Sequence, residues 1–399
     1  MTRAGMSGAA VAALAAACAL VPLNSSMVTL ALLDVEADLG VPVSRAVWLV
    51  TGYLAVMALA QPLGGRMGDA AGHRRTFLAG FAVFLAGSLV AAAAPGFGVL
   101  VAARAGQAVG GSLMLPSVAA IIRTGVDPDR RGRAFGVLAT ALALSAAIGP
   151  TVGGLMTSLG GWRAVFLVSV PLGLMVLPVV LRIPAAPATH EDHSADAARA
   201  MGVLTRRPFA LGSAAILLHN LVLYTVLLTV PVIATAGLGL GAGPAGVVAG
   251  AVTAGVLLGS VRGGRMSDRH GRRRPALLGG AIAAAGGAPL PLVAAHPSVW
   301  ALVPPLLVLG VGIGLAGPAL QAAALDAAPP EAAAVAGGLY MSARYVGGIA
   351  AGLVASVALD SGGEVTLLAI AAGAAALSAA AAAGLPRGRS WREVPPSAA

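Results

Sequence analysis

Between residues 208 and 261 the chain runs for 54 positions without one charged side chain, and 275–325 is a second such run. Water-soluble domains carry about 25% charged residues, so stretches this long do not belong to a small globule. A helix needs about 20 apolar residues to cross a hydrocarbon core of roughly 30 Å, so each run is long enough for two crossings. Lipid offers the backbone no hydrogen bonds, which leaves the helix as the way to cross. The rest of the 399 residues follow suit, with 58% hydrophobic and only 10% charged. That composition excludes a cytosolic enzyme, a disordered chain and a disulfide scaffold. Cys18 is the only cysteine, so neither an intrachain disulfide nor a cysteine-cluster metal site can form.

The apolar stretches predict an all-α integral membrane protein with twelve crossings. They lie within 4–33, 46–65, 76–94, 95–122, 134–162 and 164–181. Two more share 208–261 with a break at 237–243, two share 275–325 with a break near His296 and Pro297, and 331–359 and 365–384 complete the set. The first stretch is too long for a signal peptide, and no polar mature domain follows it, so it reads as a true crossing. Residues 182–207 contain His190, Glu191, Asp192, His193 and Asp196 and have the composition of a linker. No further ligands stand near those two histidines to make a metal site. The predicted organisation is a six-helix bundle at 1–181, a cytoplasmic linker at 182–207, a second six-helix bundle at 208–386 and a cytoplasmic tail at 387–399.

Arginine sets the expected orientation. There is no lysine, and with the N-terminus inside, 21 of the 25 arginines fall on the inner side. Only Arg45 and Arg163 fall outside, while Arg104 and Arg344 lie within crossings. This bias predicts both termini in the cytoplasm of a cell with one inner membrane to cross. It also explains the net charge of +10 without nucleic acid. Trp48, Trp162 and Trp300 then fall near the outer interface, where an aromatic belt is expected.

The chain repeats itself halfway along. Residues 65–75 read GRMGDAAGHRR and 264–274 read GRMSDRHGRRR, identical at seven of eleven positions, each after the second crossing of its half. A basic inner loop alone explains the arginines but not the shared aspartate and glycines. Gly72 and Gly271 permit a tight reversal. Asp69 and Asp268 stand at the junction, where a carboxylate can cap a helix N-terminus or pair with a neighbouring arginine. The arrangement suits a gate more than a substrate site, and two similar six-helix halves are a recurring transporter architecture.

These loops resemble the major facilitator signature G-x-[LM]-x-D-R-x-G-R-[RK]. The second copy matches through Gly264, Asp268, Arg269, Gly271, Arg272 and Arg273. The first keeps Gly65, Asp69, Gly72, Arg74 and Arg75 but has Ala70 and His73 where the family has basic residues. Arg104 with Gln107 and Gly110 resembles the family's fourth-helix motif R-x-x-Q-G-x-G, with Ala108 in place of the first glycine. The resemblance implies a part in proton coupling for that arginine. Gly149, Pro150, Gly153 and Gly154 are similar to the fifth-helix motif of the exporting antiporters, with Ser145 at the upstream glycine. Arg344 before Gly347 and Gly348, and the run Leu23-Asn24 to Ala31-Leu32, resemble motifs of the drug:proton antiporters. Asn24 replaces that motif's acid, and the two extra central crossings of the fourteen-span members are missing. What the resemblance implies is multidrug efflux or antibiotic resistance through a cell-membrane antiporter.

Charge inside a membrane is costly, at least about 2.5–3.5 kcal/mol, so Arg104 is a functional candidate unless it snorkels from a helix end. All fifteen acidic residues fall in loops, at span edges or in tails. His219, beside Asn220, is the one histidine deep in an apolar run, where packing is the commoner role. Gly310, Gly312, Gly314, Gly317, Pro318 and Gln321 read as a flexible, close-packed helix lining the cavity. No Walker A motif is present, and no His/Asp/Glu cluster suggests a membrane enzyme. The sequence therefore predicts a monomeric secondary transporter without cofactor, exporting a small apolar or cationic drug-like compound or metabolite in exchange for protons. An uncoupled facilitator and a dedicated exporter of one biosynthetic product are the alternatives. With Asn24 untitratable, Asp69 working against Arg104 is the expected proton relay, and His219 the reserve.

Overall fold

The computed structural model describes residues 6–183, 202–329 and 332–386, and among them the chain forms helices and no strand. The first half comprises α1 (Gly8–Leu39), the short α2 (Val43–Ala46), α3 (Trp48–Ala71), α4 (His73–Ala92), α5 (Phe97–Gly125), α6 (Pro128–Leu167) and α7 (Ser169–Leu181). The second comprises α8 (Arg207–Val232), α9 (Ala242–His270), α10 (Arg273–Gly287), α11 (Leu290–Ala295), α12 (Val299–Asp326), α13 (Ala333–Ala358) and α14 (Glu364–Ala383). The expected breaks are in place. A π turn at Ile233–Gly237 closes α8, and Ser298 caps α12 through the Ala301 amide.

Eleven helical stretches among the described residues are long and apolar enough to cross a membrane. The twelfth emerges from α6. Its 40 residues would measure about 60 Å as one rod, twice the hydrocarbon thickness. Gly160 and Gly161 leave helical geometry inside it, and Gly161 has φ +66°, which a side-chain-bearing residue rarely adopts. The chain turns there, and the rest of α6 joins α7 as the sixth crossing.

By internal contacts the chain divides into two units, Met1–Glu191 with Val230–Gly250, and Asp192–Thr229 with Ala251–Ala399. In the first unit α1 is buried along nearly its whole length, including Leu14, Met27, Val28 and Ala31. Lipid supplies no hydrophobic force between helices, so close packing must hold them, and small residues permit it. A methyl group on Gly80 of α4 would come within 2.7 Å of the Gly110 carbonyl oxygen of α5. In the second unit α12 is held between two neighbours. Gly310 and Gly314 rest on the backbone of α9, whose Gly255, Gly259 and Gly263 return the contact, and Gly312 rests on α10 at Gly279 and Ala283. Gly310, Gly312 and Gly314 are thus the close-packed surfaces of α12. Gly317 alone has open space around it.

Large apolar side chains such as Leu59, Met175, Leu292 and Val357 point outward, as a lipid surround requires. Trp48 and Trp300 are also exposed, but Trp162 is buried, so it is no part of an aromatic belt. Its indole Nε1 donates to Asp38 Oδ2 at 2.9 Å. Of the predicted linker, 184–201 lies outside the described residues, including His190 and His193. Its end is packed: Val203 is buried beside Phe209 and Tyr340, and Arg206 donates to the Ala327 carbonyl.

Candidate functional site

Arg104 sits eight residues into α5 and is 1% exposed, so it does not snorkel. Its Nε donates to the Leu49 carbonyl at 3.1 Å, and Nη1 donates to Asn24 Oδ1 at 2.6 Å and Gln107 Oε1 at 3.0 Å. The guanidinium also lies 4.1 Å from the centre of the Tyr53 ring. From Asn24 the network continues through Nδ2 to Ser169 Oγ, and from Gln107 through Nε2 to Ser88 Oγ. Six elements meet here: α1, α3, α4, α5, α7 and the end of α6, whose Val165 carbonyl accepts from Asn24 Nδ2 at 3.4 Å. A delocalised cation with donors in a fixed fork can tie that many helices, and each neutral partner keeps its hydrogen bonds satisfied. The sequence motif located Arg104, Gln107 and Asn24. Tyr53, Ser88 and Ser169 carry no linear signal, because only the folded bundle brings them to the same depth.

Asp69 is not part of this network. Arg104 meets α3 at Leu49, whereas Asp69 is twenty residues further along that helix, about 30 Å away. A direct relay between the two is excluded by that separation.

The two repeat loops prove to be corners of one residue, Gly72, and of two, Gly271 and Arg272. Gly72 (φ +91°) separates α3 from α4, and Gly271 (φ +78°) stands between α9 and α10. Asp69 and Asp268 occupy the last turns of α3 and α9, so neither caps the start of its own helix. Each instead faces the residue four positions on, across the corner. In the first copy His73 Nε2 lies 3.3 Å from Asp69 Oδ1. In the second, Arg272 takes the place of His73 and reaches further, with Nη1 to Ser267 Oγ at 3.0 Å and Asp268 at 3.4 Å, and Nε to Asp326 Oδ2 at 3.0 Å. The next arginine plays the same part twice: Arg74 donates to the Leu181 carbonyl at 2.6 Å, and Arg273 donates to that of Ala383 at 3.1 Å. Gly65 and Gly264 have nothing near them.

At the arginine-poor end of the first unit, α6 presents its glycines to two neighbours. Gly149 and Gly153 rest on Ser26 and on the Met27 backbone of α1. Gly154 meets Gly246 of α9, where a methyl on either would stand 2.9 Å from the other's Cα, and the Pro150 carbonyl also abuts Gly246. A clasp the sequence did not reveal lies near by, with Arg163 Nη1 bound to Asp38 Oδ2 at 2.6 Å and Nη2 to the Ala94 carbonyl at 3.3 Å.

In the second unit His219 of α8 is buried, with Nε2 3.4 Å from Ser378 Oγ of α14, a packing contact. Arg344 lies in the middle of α13, half-buried. The structure does not bring His219, Arg344 and the Arg104 network into one site within either unit.

Comparison with known proteins fits this architecture. The pattern described as Major Facilitator Superfamily matches residues 12–352. A relative named as an uncharacterized MFS-type transporter, YvkA of Bacillus subtilis (strain 168), is 27% identical over 380 residues, which cover 83% of this chain and 86% of that one. The cephamycin export protein CmcT of Amycolatopsis lactamdurans is 39% identical over 190 residues, 46% of this chain and 39% of its own. Among solved structures, a bacterial homologue of the human lysosomal transporter Spinster, described as inward-facing and unoccupied, superposes with a TM-score of 0.77 at 16% identity, covering 96% of this chain and 95% of that one. Twelve crossings in a repeated pattern, the paired glycine corners and a match over most of the length lead to one assignment: the chain is a multi-pass membrane transporter, not an enzyme, and belongs to the major facilitator superfamily.

Proposed function

We propose that the protein exports a small drug-like compound or metabolite across the cytoplasmic membrane, with both termini inside and protons moving the opposite way. Its two halves alternate access to a midplane site, as inverted and repeated transporter folds do. The observation that carries the export reading is the glycine seam of Gly149, Gly153, Gly154 and Gly246. Contacts made by backbone and one small serine side chain can part and close again without repacking bulky side chains, which is what a gate at one end of a bundle needs. The similarity to a cephamycin exporter supports the same direction. The inner corners, with Arg272 held between Asp268 and Asp326, serve as the gate at the other end.

Uncoupled facilitation is the second reading, and Asn24 favours it. The residue that receives the Arg104 guanidinium cannot titrate, so this network holds the same charge at every pH. Purified protein in liposomes separates the two. Under antiport, efflux of a transported dye or antibiotic rises when an inward proton gradient is imposed. Flux that ignores the gradient rejects antiport, and net accumulation inside loaded cells rejects export.

A further inference from the structure

Arg344 is the twelfth residue of the 26-residue α13, about 16 Å from its start and near the middle of a crossing. A snorkelling side chain cannot bridge that depth to water. It does not face lipid either. The outward positions of α13 are Val346, Leu353 and Val357, while Ala336, Tyr340, Gly347 and Ala351 form its buried side. Arg344 stands one turn after Tyr340 and three residues before Gly347, on the packed side. Among the described residues no carboxylate, carbonyl or hydroxyl pairs with its guanidinium, whereas Arg104 has three such partners through Nε and Nη1. A charge at this depth without a partner costs several kcal/mol, and such residues mark substrate pathways.

A second observation points the same way. Tyr340 is 1% exposed, yet its buried hydroxyl has no hydrogen-bond partner among the described residues. Native structures leave few such groups unpaired, because each costs about 1–3 kcal/mol. On the neighbouring helix, Gly347 abuts Leu217 and Leu221 of α8, and Ser213 lies one turn before Leu217 on the same face with its hydroxyl also unpartnered. By contrast, every acidic residue on the described helices stands within about two turns of a helix end, from Asp34, Glu36 and Asp38 on α1 to Asp326 on α12. A cationic substrate would meet no fixed negative charge at mid-membrane.

We propose that Arg344, assisted by the Tyr340 hydroxyl, anchors a carboxylate of the transported molecule, so that the substrates are organic acids rather than cations. The inference rests on the transport reading above but not on its direction. A guanidinium binds a carboxylate through two parallel N–H···O bonds, and the tyrosine O–H adds a third donor, which satisfies Arg344 and the Tyr340 hydroxyl together.

The test uses the purified full chain in detergent and three ligands sharing one ring system: 1-naphthaleneacetate, its neutral amide and 1-naphthylmethylammonium. Binding is followed by calorimetry. The acid is expected to bind about tenfold or more tightly than either analogue, a difference of about 1.4 kcal/mol. Arg344→Gln should bring the three affinities together, Arg344→Lys should keep part of the preference, and Tyr340→Phe should weaken the acid alone by a few-fold. Equal binding of acid and ammonium, no binding of the acid, or an acid preference that survives Arg344→Gln in monodisperse protein overturns the proposal. Should Arg344→Gln not fold, Tyr340→Phe decides, and acid binding unchanged by it is equally fatal. Efflux of naphthaleneacetate from loaded vesicles is read separately: binding without efflux rejects export and leaves the acid site standing.

Discussion

Removing the Arg104 side chain tests whether it is the tie that makes the first unit one body. Arg104→Ala deletes hydrogen bonds to Leu49, Asn24 and Gln107 and the contact with the Tyr53 ring. Hydrogen bonds to a charged group contribute about 1.5–3 kcal/mol each. Three of them sum to about 4.5–9 kcal/mol, at or above the roughly 3–5 kcal/mol typically lost when one partner of a buried charged set is removed. The lower figure governs, because the bonds are coupled and the variant also sheds the cost of burying a charge. We expect a loss of about 4 kcal/mol for Arg104→Ala. Arg104→Lys keeps a cation able to reach Asn24 and Gln107 but has no second nitrogen for the Leu49 carbonyl, so about 2 kcal/mol is expected. Denaturation of purified protein in mixed micelles measures both. The 2.6 Å bond to Asn24 should appear as a coupling of about 1–3 kcal/mol in the cycle of Asn24→Ala, Arg104→Ala and the double variant. Additive losses in that cycle, or a lysine variant no better than the alanine one, would refute the view of Arg104 as a planar tie.

The glycine seam predicts that Gly154→Val, which drives a branched side chain into the Gly246 backbone, costs about 1–3 kcal/mol through overpacking and abolishes efflux in vesicles, while Ala143→Val on the exposed side of α6 leaves efflux intact. The unequal corners predict that Arg272→Gln lowers transport at least about tenfold whereas His73→Gln costs only a few-fold, since Arg272 holds Ser267, Asp268 and Asp326 and His73 meets Asp69 alone among the described contacts; equal losses would show the corners to be equivalent. Topology is read by cysteine labelling in a Cys18→Ala background, Cys18 itself being buried. An impermeant reagent should fail to label Ala195→Cys from outside intact cells, and labelling there would invert the assigned orientation.

Several of these features were legible because they are local. The 54 uncharged residues at 208–261 admit no fold but membrane helices, and the break at 237–243 and the glycines at 72 and 271 mark places where the chain turns or the helix must stop. The repeat at 65–75 and 264–274 reported two halves, since seven shared positions at an offset of half the chain are hard to obtain otherwise. Arg104 announced itself by cost alone. Its partners did not. Tyr53 and Ser169 lie 51 and 65 residues from Arg104 in the sequence, and no periodicity states which face of each helix turns toward it.

The misreadings share that origin. Trp162 looked like an interfacial anchor because tryptophan at a span end usually is one, yet it turns inward to donate to Asp38. Asp69 and Arg104 looked like a relay because both are charged and both belong to motifs, but they stand at opposite ends of the same bundle. By itself the sequence determined how often the chain crosses, where it turns and which residues are too costly to be idle, because transfer to lipid and backbone geometry act on each segment alone. Only the tertiary structure decided that Arg104 meets Leu49, Asn24 and Gln107 while the Tyr340 hydroxyl meets no partner among the described residues, because helix rotation, set by packing between segments, determines which polar groups meet.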